Sequence, residues 1–294
     1  MSTKNFYIID SSSLIYKCFH GMPVQTSRDG LPNNAIEGVI RTLDFLFKQH
    51  KIDYIAAAWG SKAKTFRHEL YPDYKAKRDP APKELGIQVP YIKKAFDAFG
   101  ITSVINREYE TDDVIATLAV TMRQPDWNSI IYSTDKDFRQ LLCDEVCMFD
   151  HRKVRFITAE DHYRDWGIKP DQVVDFLALT GDLVDNIPGV KGIGKLNATY
   201  FINEYGTLDN ILEAELDPIK FNKHQKIKDA ADQARMSREL VRLRTDVPIT
   251  KDPEDFRARW PDLVELVSLT RQCGLHKQAG NYEWARQERE GIEQ

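Results

Sequence analysis

The sequence predicts an α/β fold: a mostly parallel sheet with helices on both faces, followed by a helical domain. Two patterns carry the prediction. Up to about residue 160, short β-branched apolar runs alternate with stretches whose apolar residues recur at helical spacing, as expected for parallel strands joined by crossover helices. After about Trp166 the strand runs cease, and helical stretches are joined by short Gly-rich turns at Pro188 to Gly194 and at Tyr205-Gly206.

Taken in order, strands are predicted at Phe6 to Ile9, Tyr54 to Ala58, Thr102 to Ile105, Ser129 to Tyr132 and Val146 to Phe149. Helices are predicted at Ala35 to Gln49, where Ile36, Val39, Ile40, Leu43, Leu46 and Phe47 fall at helical spacing, then at Ile87 to Phe99 and Thr111 to Met122. Between Ser61 and Pro90 the pattern breaks down into a basic, aromatic stretch with Pro72, Pro80 and Pro82. Such a long excursion from a sheet usually serves function or is disordered. A domain boundary is expected near residues 160–168.

Composition narrows the class. With 294 residues, 42% hydrophobic and 29% charged, the chain is long enough for two packed domains and too apolar to be disordered. No stretch approaches the roughly 18 apolar residues of a membrane span. The opening MSTKNFYIIDSSSLIYK lacks the basic start and long apolar run of a signal peptide, so a cytoplasmic protein with no membrane partner is expected. Cys18, Cys143, Cys147 and Cys273 are too scattered for a disulfide framework or a paired zinc site. The net charge of −4 at first argues against a nucleic-acid partner. Its distribution argues otherwise: between Ser61 and Arg78, the residues Lys62, Lys64, Arg67, Lys75, Lys77 and Arg78 stand against only Glu69 and Asp73, while other segments are dense in acids. A basic strip beside an acidic cluster suits a protein that holds a polyanion next to bound cations.

The acids fall into groups. Asp10 directly follows the first strand, and Asp135 and Asp137 follow the fourth, in STDKD. The carboxyl ends of strands line the ligand crevice of open α/β sheets, so these acids should converge on one edge. Glu110, Asp112 and Asp113 sit where a helix begins, and Asp182 and Asp185, in LTGDLVDNIPG, would share a face if that turn were helical. Taken singly, each group has an ordinary explanation, because acids are favoured at helix starts and caps. Jointly, converging carboxylates need cations to offset their repulsion, and an all-oxygen set suits Mg²⁺ or Mn²⁺ rather than zinc. Two such ions can activate a water and stabilise the leaving oxygen of a phosphodiester.

The stretches FYIIDSSSLIYKCFHGMP, AIEGVIRTLDFL, KTFRHELYPDYKAKR, EYETDDVIATLA, STDKDFRQLL and FLALTGDLVDNIPGVKGIGKLNA, in this order from about Phe6 to Leu212, resemble the bacterial and phage 5′ nucleases. That family includes the 5′-3′ exonuclease domain of bacterial DNA polymerase I and lies within the flap endonuclease superfamily. No polymerase region follows, so the expectation is a free-standing nuclease. The resemblance implies a PIN-like (resolvase-like) nuclease domain over residues 1–165, with a helical arch at about 61–90 through which a single-stranded 5′ end passes. Residues 166–294 would form a helical domain with a helix-hairpin-helix (H3TH) and a C-terminal extension. By the same resemblance Asp10, Glu110, Asp112 and Asp113 surround one metal, and Asp135, Asp137, Asp182 and Asp185 belong to a second. Lys75 and Arg78 would contact the scissile phosphate, Arg67 another phosphate, and Tyr74 a base beside the cut. In PGVKGIGKLNA, Gly192 and Gly194 let the backbone approach a phosphate, while Lys191 and Lys195 add charge. The family's hairpin also holds a K⁺ ion through backbone carbonyls.

One position departs from the family pattern. An aspartate is usual after the second strand, where this chain reads Ala58-Trp59-Gly60, and Gly60 has no side chain to bind a metal or its water. If that aspartate acts through water, its loss costs roughly 10 to 100-fold in affinity or activity rather than everything. Ser61 or a water is a candidate to fill part of the space. The leading expectation is therefore a metal-dependent, monomeric 5′ nuclease acting on DNA 5′ ends and 5′ flaps in replication or repair. The alternatives are a DNA-binding protein crippled at Gly60 and a ribonuclease of the PIN class, which would lack the hairpin.

Overall fold

In the computed structural model, which describes residues 3–61, 63–123, 126–250 and 252–292, the predicted strands appear as β1 (Lys4–Asp10), β2 (Tyr54–Trp59), β3 (Thr102–Ile105), β4 (Trp127–Tyr132) and β5 (Val146–Asp150). A further strand, β6 (Arg155–Ile157), was not predicted. The sheet order is β3-β2-β1-β4-β5-β6, parallel throughout except for the β5–β6 pair. β6 is three residues long and alternates only once, too little for a periodicity argument.

Six helices accompany the sheet: α1 (Ser11–Gly21), α2 (Asn34–Gln49), α3 (Phe66–Leu70), α4 (Lys83–Ala98), α5 (Thr111–Thr121) and α6 (Ala159–Trp166). Successive side chains of β1 point to opposite faces. Tyr7 and Ile9 meet Leu14 of α1, Ile36 and Leu43 of α2 and Ile92 of α4, whereas Phe6 and Ile8 meet Val114, Ile115 and Leu118 of α5. Both faces are thus buried, which is why the strands read as unbroken apolar runs. α1 was missed because it opens on three serines and buries only Leu14, Ile15 and Cys18 of its apolar residues.

The helical body comprises α7 (Val173–Thr180), α8 (Lys195–Tyr205), α9 (Leu208–Glu213), α10 (Phe221–Asp229) and α11 (Ala231–Val241), gathered round Phe176, Leu177, Phe201, Ile202, Ile227 and Leu240. The chain then returns to the sheet. Leu243, Val247 and Phe256 enter the α5 side, while α12 (Leu263–Gln272) and α13 (His276–Ile292) bring Leu266, Leu269 and Tyr282 to the α2 side. Asn33 Nδ2 donates to Cys273 O at 2.8 Å, and the Tyr282 hydroxyl to Asp44 at 2.7 Å, fixing this strap.

Two local expectations are corrected. The stretch 61–90 is not helical throughout: α3 has five residues, Arg67 and Tyr74 are buried, residues 76–81 are exposed without helix, and from Lys83 the chain is in α4, packed on α2 through Leu85 and Ile92. Lys62 lies outside the described residues. The Asp182–Asp185 turn is not helical either. Asp182 N donates to Ile187 O at 2.9 Å and Ile187 N to Asp182 O at 2.7 Å, closing a tight loop. Gly181 and Gly189 sit side by side at its base with φ of 71° and 57°, and a Cβ on either would overlap the other's backbone.

Candidate active site

Asp10 ends β1 and caps α1: its Oδ1 accepts from Ser13 N at 3.0 Å and its Oδ2 from Ser133 Oγ at 2.7 Å. Asp135 and Asp137 follow β4, with Asp137 N donating to Asp135 Oδ1 at 3.0 Å. α5 begins beside them with Glu110 at its cap and Asp112 in its first turn. The effect of proximity is visible in their acidities. Burial, with Asp135 adding repulsion, pushes Asp10 up to about 6. The same two causes push Asp137 up to about 8 and raise Asp112 well above the usual carboxylate range. Asp135 is itself raised by burial and by Asp185 from the helical body. Asp135 is the charge that the other acids share.

Asp113 and Arg67 pair with each other, with Arg67 Nη1 also 3.5 Å from Glu110 Oε2, and correct two expectations. Both are fully buried. Arg67 Nη1 and Nη2 donate to the two carboxylate oxygens of Asp113 at 2.7 and 2.8 Å, while Nε and Nη2 donate to Leu240 O and Arg242 O at 2.9 and 3.0 Å. Asp113 Oδ1 also accepts Arg244 N at 2.8 Å. A bidentate pair closed this fully offers neither a carboxylate to a metal nor a guanidinium to a phosphate. It ties α3, α5 and the end of α11 together.

Basic side chains lie among the remaining acids. Lys75 Nζ donates to both Glu110 oxygens at 2.9 Å and lies 3.6 Å from Asp185 Oδ2; Arg78 pairs with Asp185, and Lys136 Nζ is 2.9 Å from Asp182 Oδ2. Burial would lower Lys75, but Glu110, Asp112 and Asp185 outweigh it and raise its pKa. For Asp182, burial is outweighed by Lys136 and the pKa falls. Tyr74, expected to stack on a base, is buried instead, its hydroxyl donating to Glu110 at 3.0 Å and to Asp185 at 3.3 Å. Lys75 is left-handed, with φ of 57°, and its N–H donates to Asp185 O at 2.9 Å; Asn186 Nδ2 in turn donates to Asp73 O at 2.7 Å. A non-glycine residue in this region costs on the order of 1–3 kcal/mol, which the two docked turns offset.

The donor set fits hard divalent cations. It is all oxygen, Asp10, Asp112, Asp135 and Asp137 are raised by burial and then by neighbouring carboxylates, and Asp137 Oδ1 is buried with no hydrogen-bond partner among the described residues. As the side chains stand, Lys75, Arg78 and Lys136 take Glu110, Asp185 and Asp182 one by one. Among the described residues, no three acids, histidines or cysteines are grouped to enclose an ion. Gly60 faces the same edge: a Cβ there would meet Thr111 Oγ1 at 2.9 Å and Ser12 Oγ at 3.8 Å. Ser61 does not fill this space, because its hydroxyl turns to Arg107 O at 3.2 Å.

The hairpin between α7 and α8 exposes Lys191, Gly192, Gly194 and Lys195, with Gly194 capping α8 and Gly192 at φ 84°. Two residues that the sequence did not single out join it. Lys223 Nζ donates to Gly192 O at 3.0 Å, and Lys226 Nζ lies 3.7 Å from where a Gly192 Cβ would be. Their lysine-rich stretch, FNKHQKIK, was a visible signal, but nothing in it placed α10 against the hairpin.

A family model for the 5′-3′ exonuclease N-terminal resolvase-like domain matches residues 5–167, and one for the C-terminal SAM fold matches 168–263. The chain belongs to the 5′-3′ exonuclease family. A 5′-3′ exonuclease of Aquifex aeolicus is 36% identical over 90% of each chain. DNA polymerase I of Rhizobium leguminosarum is 37% identical over 84% of this chain and 25% of its own length. DNA polymerase I of Bacillus subtilis is 33% identical over 93% of this chain and 32% of its own length, so the chain spans about a third of that polymerase. Among solved structures, a complex of bacteriophage T5 flap endonuclease with DNA and metal ions has a TM-score of 0.69 at 24% identity, covering 95% of this chain and 98% of that one. The catalytic core of Rad2 with a DNA substrate has a TM-score of 0.63 at 17% identity, covering 96% and 91%. These structures share the fold. No helix among the described residues is long and apolar enough to cross a membrane.

Two predictions follow from the geometry. Arg67→Ala leaves Asp113 buried and unpaired, so urea unfolding should show a loss of about 3–5 kcal/mol, with DNA affinity per folded molecule unchanged. A selective loss of affinity at full stability would return Arg67 to the phosphate-binding set. The second concerns pH. Asp10 and Asp137 are raised in the folded state to about 6 and about 8, so they favour folding while protonated and cease to do so as the pH rises through those values. In a chelator, the melting temperature should fall from about pH 4 to about pH 8, and Asp137→Asn should flatten that fall.

Proposed function

We propose that the chain is a metal-dependent, structure-specific 5′ nuclease that hydrolyses DNA phosphodiester bonds as a 5′-3′ exonuclease and flap endonuclease in replication or repair. The observation that carries this reading is the shared electrostatics of Asp10, Asp112, Asp135 and Asp137 at one sheet edge, with Asp137 Oδ1 unpartnered. Those acids, with Glu110, Asp182 and Asp185, would hold two Mg²⁺ or Mn²⁺ ions. Bound there, the ions would supply an activated water and charge stabilisation at the leaving oxygen.

The protein's own part is to orient and to offset charge. Lys75 and Arg78, now on Glu110 and Asp185, are the cations nearest to a phosphate drawn to this edge, and transferring them to it would steady the charge that develops there. Tyr74, held under Lys75, would position that turn rather than stack on a base. Lys191, Gly192, Gly194 and Lys195, joined by Lys223 and Lys226, would hold duplex phosphates without reading sequence. The resemblance adds a K⁺ ion at this hairpin, where Gly192 O already accepts an ammonium. In this reading a nuclease domain of residues 1–165 and a helical domain from 166 work together as a monomer on DNA with a 5′ end or 5′ flap.

Gly60 supports a second reading, DNA binding without cleavage, because the family aspartate is replaced there by a residue with no ligand to offer. One assay separates the two. A labelled 5′-flap duplex with Mg²⁺ or Mn²⁺ should be cut near the junction by the parent protein, and Asp135→Ala should lower the rate by at least about 100-fold while still binding the flap. Tight flap binding with no cutting by the parent would establish the second reading and overturn the first.

A further inference from the structure

Between the inward-facing acids of the 182–187 turn stand two side chains that face water. Leu183 is 92% exposed and Val184 66%, whereas Asp182 and Asp185 are each 7% exposed. Single exposed aliphatic residues are ordinary on protein surfaces. This pair differs in its setting. Its backbone is fixed by the Asp182–Ile187 bridge, by Val184 N donating to Asp182 Oδ1 at 2.8 Å, and by the abutting Gly181 and Gly189. The turn cannot fold the pair inward without breaking the bonds that aim the acids.

Continuity with the candidate site says what would cover it. Asp185 O accepts Lys75 N, and Asp185 pairs with Arg78, so the apolar pair borders the place where the proposed function brings a phosphate. Adjacent Cα atoms are about 3.8 Å apart, so Leu183 and Val184 lie within a nucleotide's reach of Asp182 and Asp185. A nucleotide whose phosphate reaches those acids through bound ions would bring its base within range of this pair. Leucine and similar wedges pressed against base steps are a general means of holding or opening a duplex end.

We infer that Leu183 and Val184 form an apolar rim that packs against the nucleobase beside the cut phosphate. The inference rests on the nuclease reading and deepens it. Because the pair bonds to nothing inside the protein through its side chains, a Leu183→Ser, Val184→Ser double variant should melt as the parent does. Fluorescence anisotropy with a labelled 5′-flap duplex in Ca²⁺, whose loose oxygen coordination occupies the acids without the strict octahedral geometry of Mg²⁺, then measures binding. The double variant should bind about tenfold more weakly than the parent. Making the nucleotides that flank the junction abasic should cost the parent a similar factor and the variant little more, since both changes remove the same contact. Equal binding by variant and parent, or losses that simply multiply, would overturn the inference and leave the nuclease reading intact. So would a parent that sediments as a dimer and a variant that sediments as a monomer with unchanged flap binding, which would give the rim to a second copy of the chain. A parent that binds no flap duplex at all would overturn both.

Discussion

Bringing Asp10, Asp112, Asp135 and Asp137 to one edge of a sheet sets like charges side by side where little water reaches them. In a medium of reduced polarity such repulsion is large, and it must be met by protons, by cationic side chains or by bound ions. Every other arrangement at this edge answers that constraint. The Ser133 hydroxyl and the Ser13 N–H turn toward Asp10, Lys136 reaches from beyond β4 to Asp182 of the helical body, and Lys75 takes Glu110.

The same constraint explains how the helical body is joined to the sheet. Asp182 and Asp185 belong to a turn at the end of α7, yet their partners Lys136, Lys75 and Arg78 come from the sheet domain and its excursion. These ion pairs, two of them on Asp185, bridge the two bodies at the place where substrate would enter. The left-handed Lys75 is held there by Asp185 O. A turn kept in a sparsely populated conformation by partners that a polyanion or a divalent cation would compete for is poised to change its contacts on binding. Arg67 and Asp113 meet that exchange only at Glu110, 3.5 Å from Arg67 Nη1. Their pair is buried and serves as the pin about which α3, α5 and residues 240–244 are assembled.

Much of this was legible in the sequence because it follows from local pattern. The apolar runs placed β1 to β5, and the acids after β1 and β4 located the edge at which they meet. What was not legible depends on distant partners. Arg67 and Asp113 look like their exposed neighbours along the chain, and only the fold brings them together across 46 positions. Tyr74 lies in a basic, proline-flanked stretch, yet it is buried because Glu110 and Asp185 receive its hydroxyl. The return of residues 243–282 to the sheet was hidden for the same reason: an amphipathic helix announces that it has a buried face, not which core receives it. Gly60 was visible as a departure, but only the structure reveals Thr111 crowding that space and Ser61 turned away from it.

The acids around Asp135 would form a site for divalent ions in place of the protein's own cations. Electron paramagnetic resonance of free Mn²⁺, titrated into the metal-free protein at neutral pH, counts the ions bound without reference to cleavage. Two tight equivalents are expected for the parent protein, with the loss of at least one in Asp135→Asn. No tight Mn²⁺ binding by the parent, or the same stoichiometry and affinity in the variant, would contradict it.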